Sequence, residues 1–130
     1  MPIPTNTIDF EWNAPNAVVI ARPMNFWASF VYLLSFCALA VAGLFAGRFG
    51  EAAAYARLTI QANPAFSVPY AYLATAHVHL GEIDAALVAM RRLLDVEPTF
   101  TVEGFARTDR YPPELLDRLV TALARVEGRA

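Results

Sequence analysis

Four residues recur at one fixed interval along this chain: Gly47, Ala52, Pro64 and Phe66 are followed, at the same offset in every case, by Gly81, Ala86, Pro98 and Phe100. A period of that length fits one helix, a tight turn and a second helix, and it predicts a two-helix unit built twice and stacked. The residue types suit their places. Glycine, lacking a Cβ, tolerates the left-handed backbone that ends one helix and turns the chain into the next. Alanine lets two helix axes approach where a larger side chain would hold them apart. Proline, lacking an N–H, closes the second helix.

The match continues inside the unit. The aromatic residue near the start of the first helix is Phe36 and then Tyr70, a large-small pair follows as Leu39-Ala40 and then Leu73-Ala74, and Phe49 or Ile83 stands two residues beyond the turn glycine. In spacing and residue type this pattern resembles the tetratricopeptide repeat, whose period it shares. The resemblance implies an all-α fold, a tetratricopeptide-type α-α superhelix of two helix pairs (33–64 and 67–98) with a C-terminal capping helix. Gly43 and His77 depart from it, standing where the family usually has tyrosine or phenylalanine, and Ala56 is small where an aromatic is common. The first repeat is the weaker match.

A looser resemblance rests on Ala42 to Ala52, Leu93-Leu94 and the segment Pro98-Thr99-Phe100-Thr101-Val102-Glu103-Gly104-Phe105. These are similar to the C-terminal repeat region of certain bacterial adenylate cyclase-like and transcriptional-regulator proteins, where such repeats follow a catalytic or DNA-binding domain. Paired metal-binding aspartates, a basic helix-turn-helix and a glycine-rich phosphate loop are absent from the sequence. Only the accessory, regulatory half of that architecture is implied, as a remnant or shortened relative of the larger proteins.

Around the repeats the chain divides into three parts. Residues 1–25 carry Pro2, Pro4, Pro15 and Pro23 without a helical period and predict an irregular lead-in, with one short alternation from Thr7 to Trp12 as a candidate strand. Residues 26–98 hold the repeats, with helices expected at about 50–62, 67–80 and 84–96. Residues 99–130 form a connector, with room for one helical turn, and a capping helix opened by Pro112, Pro113 and Glu114. Its stripe of Leu115, Leu116, Leu119, Val120, Leu123 and Val126 must dock on something.

The run from Phe26 to Ala46 carries no formal charge, and its length also suits a membrane span. Phe36, Leu39, Ala40 and Gly47 keep the repeat register, which a generic lipid-facing helix has no reason to do. A soluble repeat helix whose preceding residues, Phe26 to Leu34, are covered by the N-terminal segment or a partner is therefore the expectation, and a single-span, membrane-anchored adaptor is the alternative. Arg22 and Arg48 flank the run symmetrically and give no orientation signal.

Charge narrows the function classes. The net charge is -2 and the ten basic residues, all arginine, are dispersed, so no nucleic-acid partner is expected. Asp9 and Glu11 stand where a secretory signal needs basic residues, and Cys37 is the only cysteine, so the expected location is cytoplasmic. No catalytic constellation is found: Ser29, Ser35 and Ser67 lack a glycine-flanked nucleophile setting, and Glu82, Asp84, Asp95 and Glu97 flank helix ends, where acids act as caps. His77 and His79, two apart on a helix, point to different faces, so neither a metal site nor a cofactor is expected.

The expected activity is therefore binding, as a scaffold or regulatory repeat module that holds a protein or peptide, or a second copy of itself. The tetratricopeptide resemblance implies a concave groove lined by Leu34, Cys37, Val41, Leu44 and Phe45 in the first repeat and by Val68, Ala71, Thr75, Val78 and His79 in the second. The lysines and asparagines with which some relatives clamp a terminal carboxylate are replaced by Cys37, Val41, Ala71 and Thr75, so an apolar helix suits the groove better than an acidic tail. The chain's own N-terminal segment or C-terminal helix is the competing occupant. On an open groove, Val78→Asp is expected to spare folding. Arg91-Arg92, with Arg57 one period before Arg91, lies on the outer helices as a solvated face.

Overall fold

A computed structural model describes residues 26–129, so the lead-in and its candidate strand lie outside the described residues. Among these the chain is entirely helical. The helices are α1 (Phe26–Ala46), α2 (Phe49–Ala62), α3 (Val68–His79), α4 (Ile83–Val96), α5 (Val102–Ala106) and α6 (Pro113–Glu127). Consecutive helices α1 to α4 pack pairwise, and α6 returns across α3 and touches both α1 and α4.

The period seen in the sequence is written into the backbone. Gly47 and Gly81 have φ of 82° and 81°, the left-handed conformation that costs glycine least. Beside them Arg48 N–H donates to the Gly43 carbonyl and Glu82 N–H to that of His77, each at 2.8 Å. These two helix-closing bonds stand one period apart and satisfy carbonyls that a helix end otherwise leaves without partners. The second helices end alike, with Asn63 N–H donating to Thr59 and Glu97 N–H to Leu93. Phe66 N–H then bonds the Asn63 carbonyl as Phe100 N–H bonds that of Glu97.

Packing explains the small residues. Ala40, Ala52 and Ala56 are fully buried in the first pair, as are Ala74 and Ala86 in the second. A methyl group added at Gly43 would lie 3.0 Å from the Ala52 Cβ, so glycine there is a consequence of how closely α1 and α2 approach. An aromatic side chain at this position therefore has no room.

The connector holds one short helix. Thr101 Oγ1 accepts from Gly104 N–H at 3.0 Å to start α5, and Glu127 near the end of α6 accepts from Val102 N–H at 2.9 Å. Proline opens α6, as expected, and of its stripe Leu115, Leu119, Leu123 and Val126 are no more than 2% exposed, as is Ala122, whereas Leu116 and Val120 are half-buried. Leu115 and Leu119 pack with Ala40, Leu44, Tyr72 and Ala76, while Ala122, Leu123 and Val126 pack with Ala71, Ala74, Val78 and Met90. One helix thus bridges both pairs.

Among the described residues no helix is long and apolar enough to cross a membrane. Phe36 stacks on Tyr55, and Ala40 and Leu44 are fully buried in the protein core, so from Phe36 onward the helix belongs to the bundle. The preceding stretch of α1 rises only about 15 Å, half the hydrocarbon thickness of a bilayer.

Candidate functional site

The groove expected from the sequence is closed by α6. Leu44, Ala71, Thr75 and Val78 are 0%, 1%, 0% and 5% exposed, and Cys37, Val41 and Val68 are half-buried. Leu34, Phe45 and His79 remain exposed. The first seven line a contact within the chain rather than an open groove, and the expectation that Val78→Asp spares folding is corrected accordingly, because Val78 packs in the cluster of Ala122 and Leu123. Thr75 places its hydroxyl on the Ala71 carbonyl at 2.9 Å and is satisfied by its own helix.

The polar groups inside this contact are mutually satisfied. The Tyr72 and Tyr111 hydroxyls are 2.6 Å apart, joining α3 to the residues that lead into α6. Burial, and then the Tyr111 hydroxyl, raise the Tyr72 phenol far above the ordinary tyrosine range; burial also raises Tyr111. Cys37 lies beside this pair, and its thiol is pushed up by burial, the opposite of what a reactive thiolate requires.

The histidines occupy separate environments. His77 is held between two partners, Glu82 Oε1 at 2.7 Å from Nδ1 and Arg57 Nη2 at 3.5 Å from Nε2. Because a guanidinium only donates, Nε2 is the acceptor and Nδ1 carries the proton given to Glu82. His79 stacks on Phe49 with ring centroids 4.4 Å apart, and burial followed by the Arg118 charge lowers its pKa. Among the described residues no group of three His, Cys, Asp or Glu side chains is placed to hold a metal ion. Of the flagged acids, Glu97 accepts from the Ser67 hydroxyl at 2.6 Å, Asp84 sits in the first turn of α4 and Asp95 is exposed.

Among the described residues, clefts include the following two. One of about 270 Å³ lies among Ser67, Glu97, Phe100, Thr101 and Tyr111; a more open one of about 450 Å³ lies between α2 and α4, with Arg57 and Arg92 on its rim. The first holds the Ser67–Glu97 pair but no histidine, and the second holds His77 but no serine, threonine or cysteine.

The sequence marks Phe26 to Leu34 as apolar residues in need of cover, and the exposed apolar face of α1 runs on past them to Phe45. Val31, Leu34, Ser35, Ala38, Leu39, Ala42 and Phe45 are exposed and follow helical spacing along one uncharged stripe. Val31, Leu34, Leu39 and Phe45 are 56%, 53%, 44% and 54% exposed. Applying the period twice would have revealed it. The counterparts of Ser35, Ala38 and Ala42 one period on are Pro69, Tyr72 and Ala76, all buried, whereas among the described residues no helix precedes the first three.

The chain matches no family model, no curated protein and no solved structure.

Proposed function

We propose that this chain is a non-catalytic protein-interaction module of the tetratricopeptide type, acting as a scaffold or regulatory unit. The observation that carries the role is the uncharged, exposed stripe on α1, because a contiguous apolar face of this kind marks an interaction surface. The recurrence of the turn geometry one period apart supports the repeat assignment. The interaction surface moves from the concave groove, which α6 fills, to the outer face of the first helix. A module that follows a larger catalytic or DNA-binding domain would use such a face to transmit contact without chemistry of its own.

The first test is expression without detergent, high-speed centrifugation and size-exclusion chromatography with light scattering. A soluble helical species is expected. The double variant Leu34→Asp, Phe45→Asp should melt within about 2 °C of the parent, as exposed substitutions do, while losing its retardation on hydrophobic resin. Recovery only in a carbonate-resistant membrane pellet would replace this role with the membrane-anchored adaptor. A collapse of stability in the double variant would make the face structural.

A further inference from the structure

The smaller cleft, of about 270 Å³, opens among the start of α3, the end of α4 and the connector, and every residue lining it falls from Ser67 to Tyr111. Three aromatic side chains form a row along it. The ring centroids of Phe100 and Phe105 are 5.9 Å apart, and those of Phe105 and Tyr111 are 5.8 Å apart. All three are half-buried, so each packs on the core and also gives surface to the cleft.

A charged residue stands at each end of this row. Glu97 lies beside Phe100, whose N–H donates to the Glu97 carbonyl at 3.0 Å, and Arg110 directly precedes Tyr111. Burial raises the Tyr111 phenol, and the Tyr72 hydroxyl and the Arg110 charge oppose that rise, which puts the guanidinium near the Tyr111 end. Both charged side chains line the one cleft, yet among the described residues neither forms an ion pair. Glu97 Oε1 accepts from the Ser67 hydroxyl at 2.6 Å, and Oε2 has no partner among the described residues. The repeat does not call for the Ser67–Glu97 pair, because one period earlier its places are held by Leu33 and Asn63.

We infer that this cleft binds a small zwitterion in which an alkylated ammonium and a carboxylate are joined by a short apolar spacer. The rings and Glu97 hold the ammonium, and Arg110 holds the carboxylate. This binding is independent of the interaction role proposed above. Aromatic rings attract a cation through their quadrupole, and quaternary ammonium groups are the ligands such rings suit best. A primary ammonium brings three donors that must all find acceptors, whereas a quaternary one brings none. A guanidinium presents the planar fork that pairs with a carboxylate. A simple cation would be repelled by Arg110 and a simple anion by Glu97, and the zwitterion escapes both. The volume falls below the roughly 300–1,000 Å³ of sites for drug-sized ligands, which keeps the occupant small.

The probe is γ-(trimethylammonio)butyrate, titrated into the isotope-labelled full chain and followed by amide chemical shifts. Its controls are the isostere with a tert-butyl group in place of the trimethylammonium, and butyltrimethylammonium, which lacks the carboxylate. The probe should give saturable shifts centred on Glu97, Thr101, Gly104 and Tyr111, with a Kd of about 1 mM or tighter. Each control should bind at least about tenfold more weakly, and Glu97→Gln and Arg110→Gln should each weaken the probe by about tenfold or more. Glutamine keeps an acceptor for Ser67, and Arg110 is exposed, so both variants should melt within about 2 °C of the parent. If either melts early, the two controls on the unaltered chain still decide.

Equal affinity for the tert-butyl isostere, or full affinity in Glu97→Gln, would overturn the ammonium site. Equal affinity for butyltrimethylammonium, with the probe unaffected by Arg110→Gln, would overturn the zwitterion in favour of a simple cation. No saturation by about twentyfold above that Kd, or shifts centred on α1 instead, would overturn the cleft as the binding site.

Discussion

Gly47→Ala and Gly81→Ala offer a direct measure of whether the two helix pairs are equivalent. The two glycines have φ of 82° and 81°, and a Cβ built on either meets nothing within 4 Å. Steric contact therefore contributes nothing, and the cost is that of holding an L-residue in left-handed backbone, about 1–2 kcal/mol. The stiffer unfolded chain offsets roughly 0.4–1 kcal/mol of this, leaving a net loss of about 1 kcal/mol at each site. In a domain of this size that lowers the melting temperature by roughly 3–5 °C. Urea titration followed by circular dichroism at 222 nm should give midpoints shifted equally, with unchanged slopes. The double variant should lose about 2 kcal/mol, since sites with no shared partners add. Asparagine, which tolerates the left-handed region, should cost less at both positions. A difference above roughly 0.5 kcal/mol between the two alanine variants would refute equivalence of the turns, and a neutral result at both would refute the left-handed geometry itself.

Two further perturbations address the closed groove. Leu119 is fully buried between α6 and the first helix pair, so Leu119→Ala should cost about 2–5 kcal/mol by urea titration, against under about 0.5 kcal/mol for Thr121→Ala on the exposed face; equal, small effects would mean that α6 does not dock there. Tyr72 and Tyr111 both have raised pKa values, so above the ordinary tyrosine range the unfolded chain sheds protons that the folded chain keeps, and stability must fall as pH rises through that range. Absorbance at 295 nm should show a late-ionising tyrosine component that appears together with loss of helix; complete tyrosine ionisation with the fold intact would contradict the buried hydroxyl pair.

The helix pairs were legible in the sequence because their determinants are local. A glycine that must turn left-handed, an alanine at a close approach and a proline past a helix end each act within a few residues, so predicted spans of 50–62, 67–80 and 84–96 correspond to α2, α3 and α4 with shifts of a residue at their ends. The sequence offered α6 as one occupant of the groove and its stripe announced that it would be buried, but its destination among named residues was not legible. That destination depends on partners far away in sequence, including Ala40, Leu44 and Tyr72. The groove residues were identified as apolar, but apolarity alone does not distinguish a surface awaiting a partner from one already covered. The same ambiguity hid how far the exposed face of α1 runs. Its lack of charge was conspicuous, but which side of the helix stays bare follows only from where α2, α3 and α6 pack.

Arg118 ties the last helix to the first. Its guanidinium donates to the carbonyls of Leu44 and Phe45, at the end of α1 where the helix dipole is negative, and lies 5.6 Å from the centre of the Phe49 ring. This contact closes a loop across most of the bundle and cannot form until both of its ends are in place. A linear stack of units, each touching only its neighbours, frays from its ends and loses structure in stages. Here the first and last helices hold each other, so neither helix pair can open without releasing the other. The molecule should therefore melt in one cooperative transition, with its slowest folding step the late meeting of those two helices.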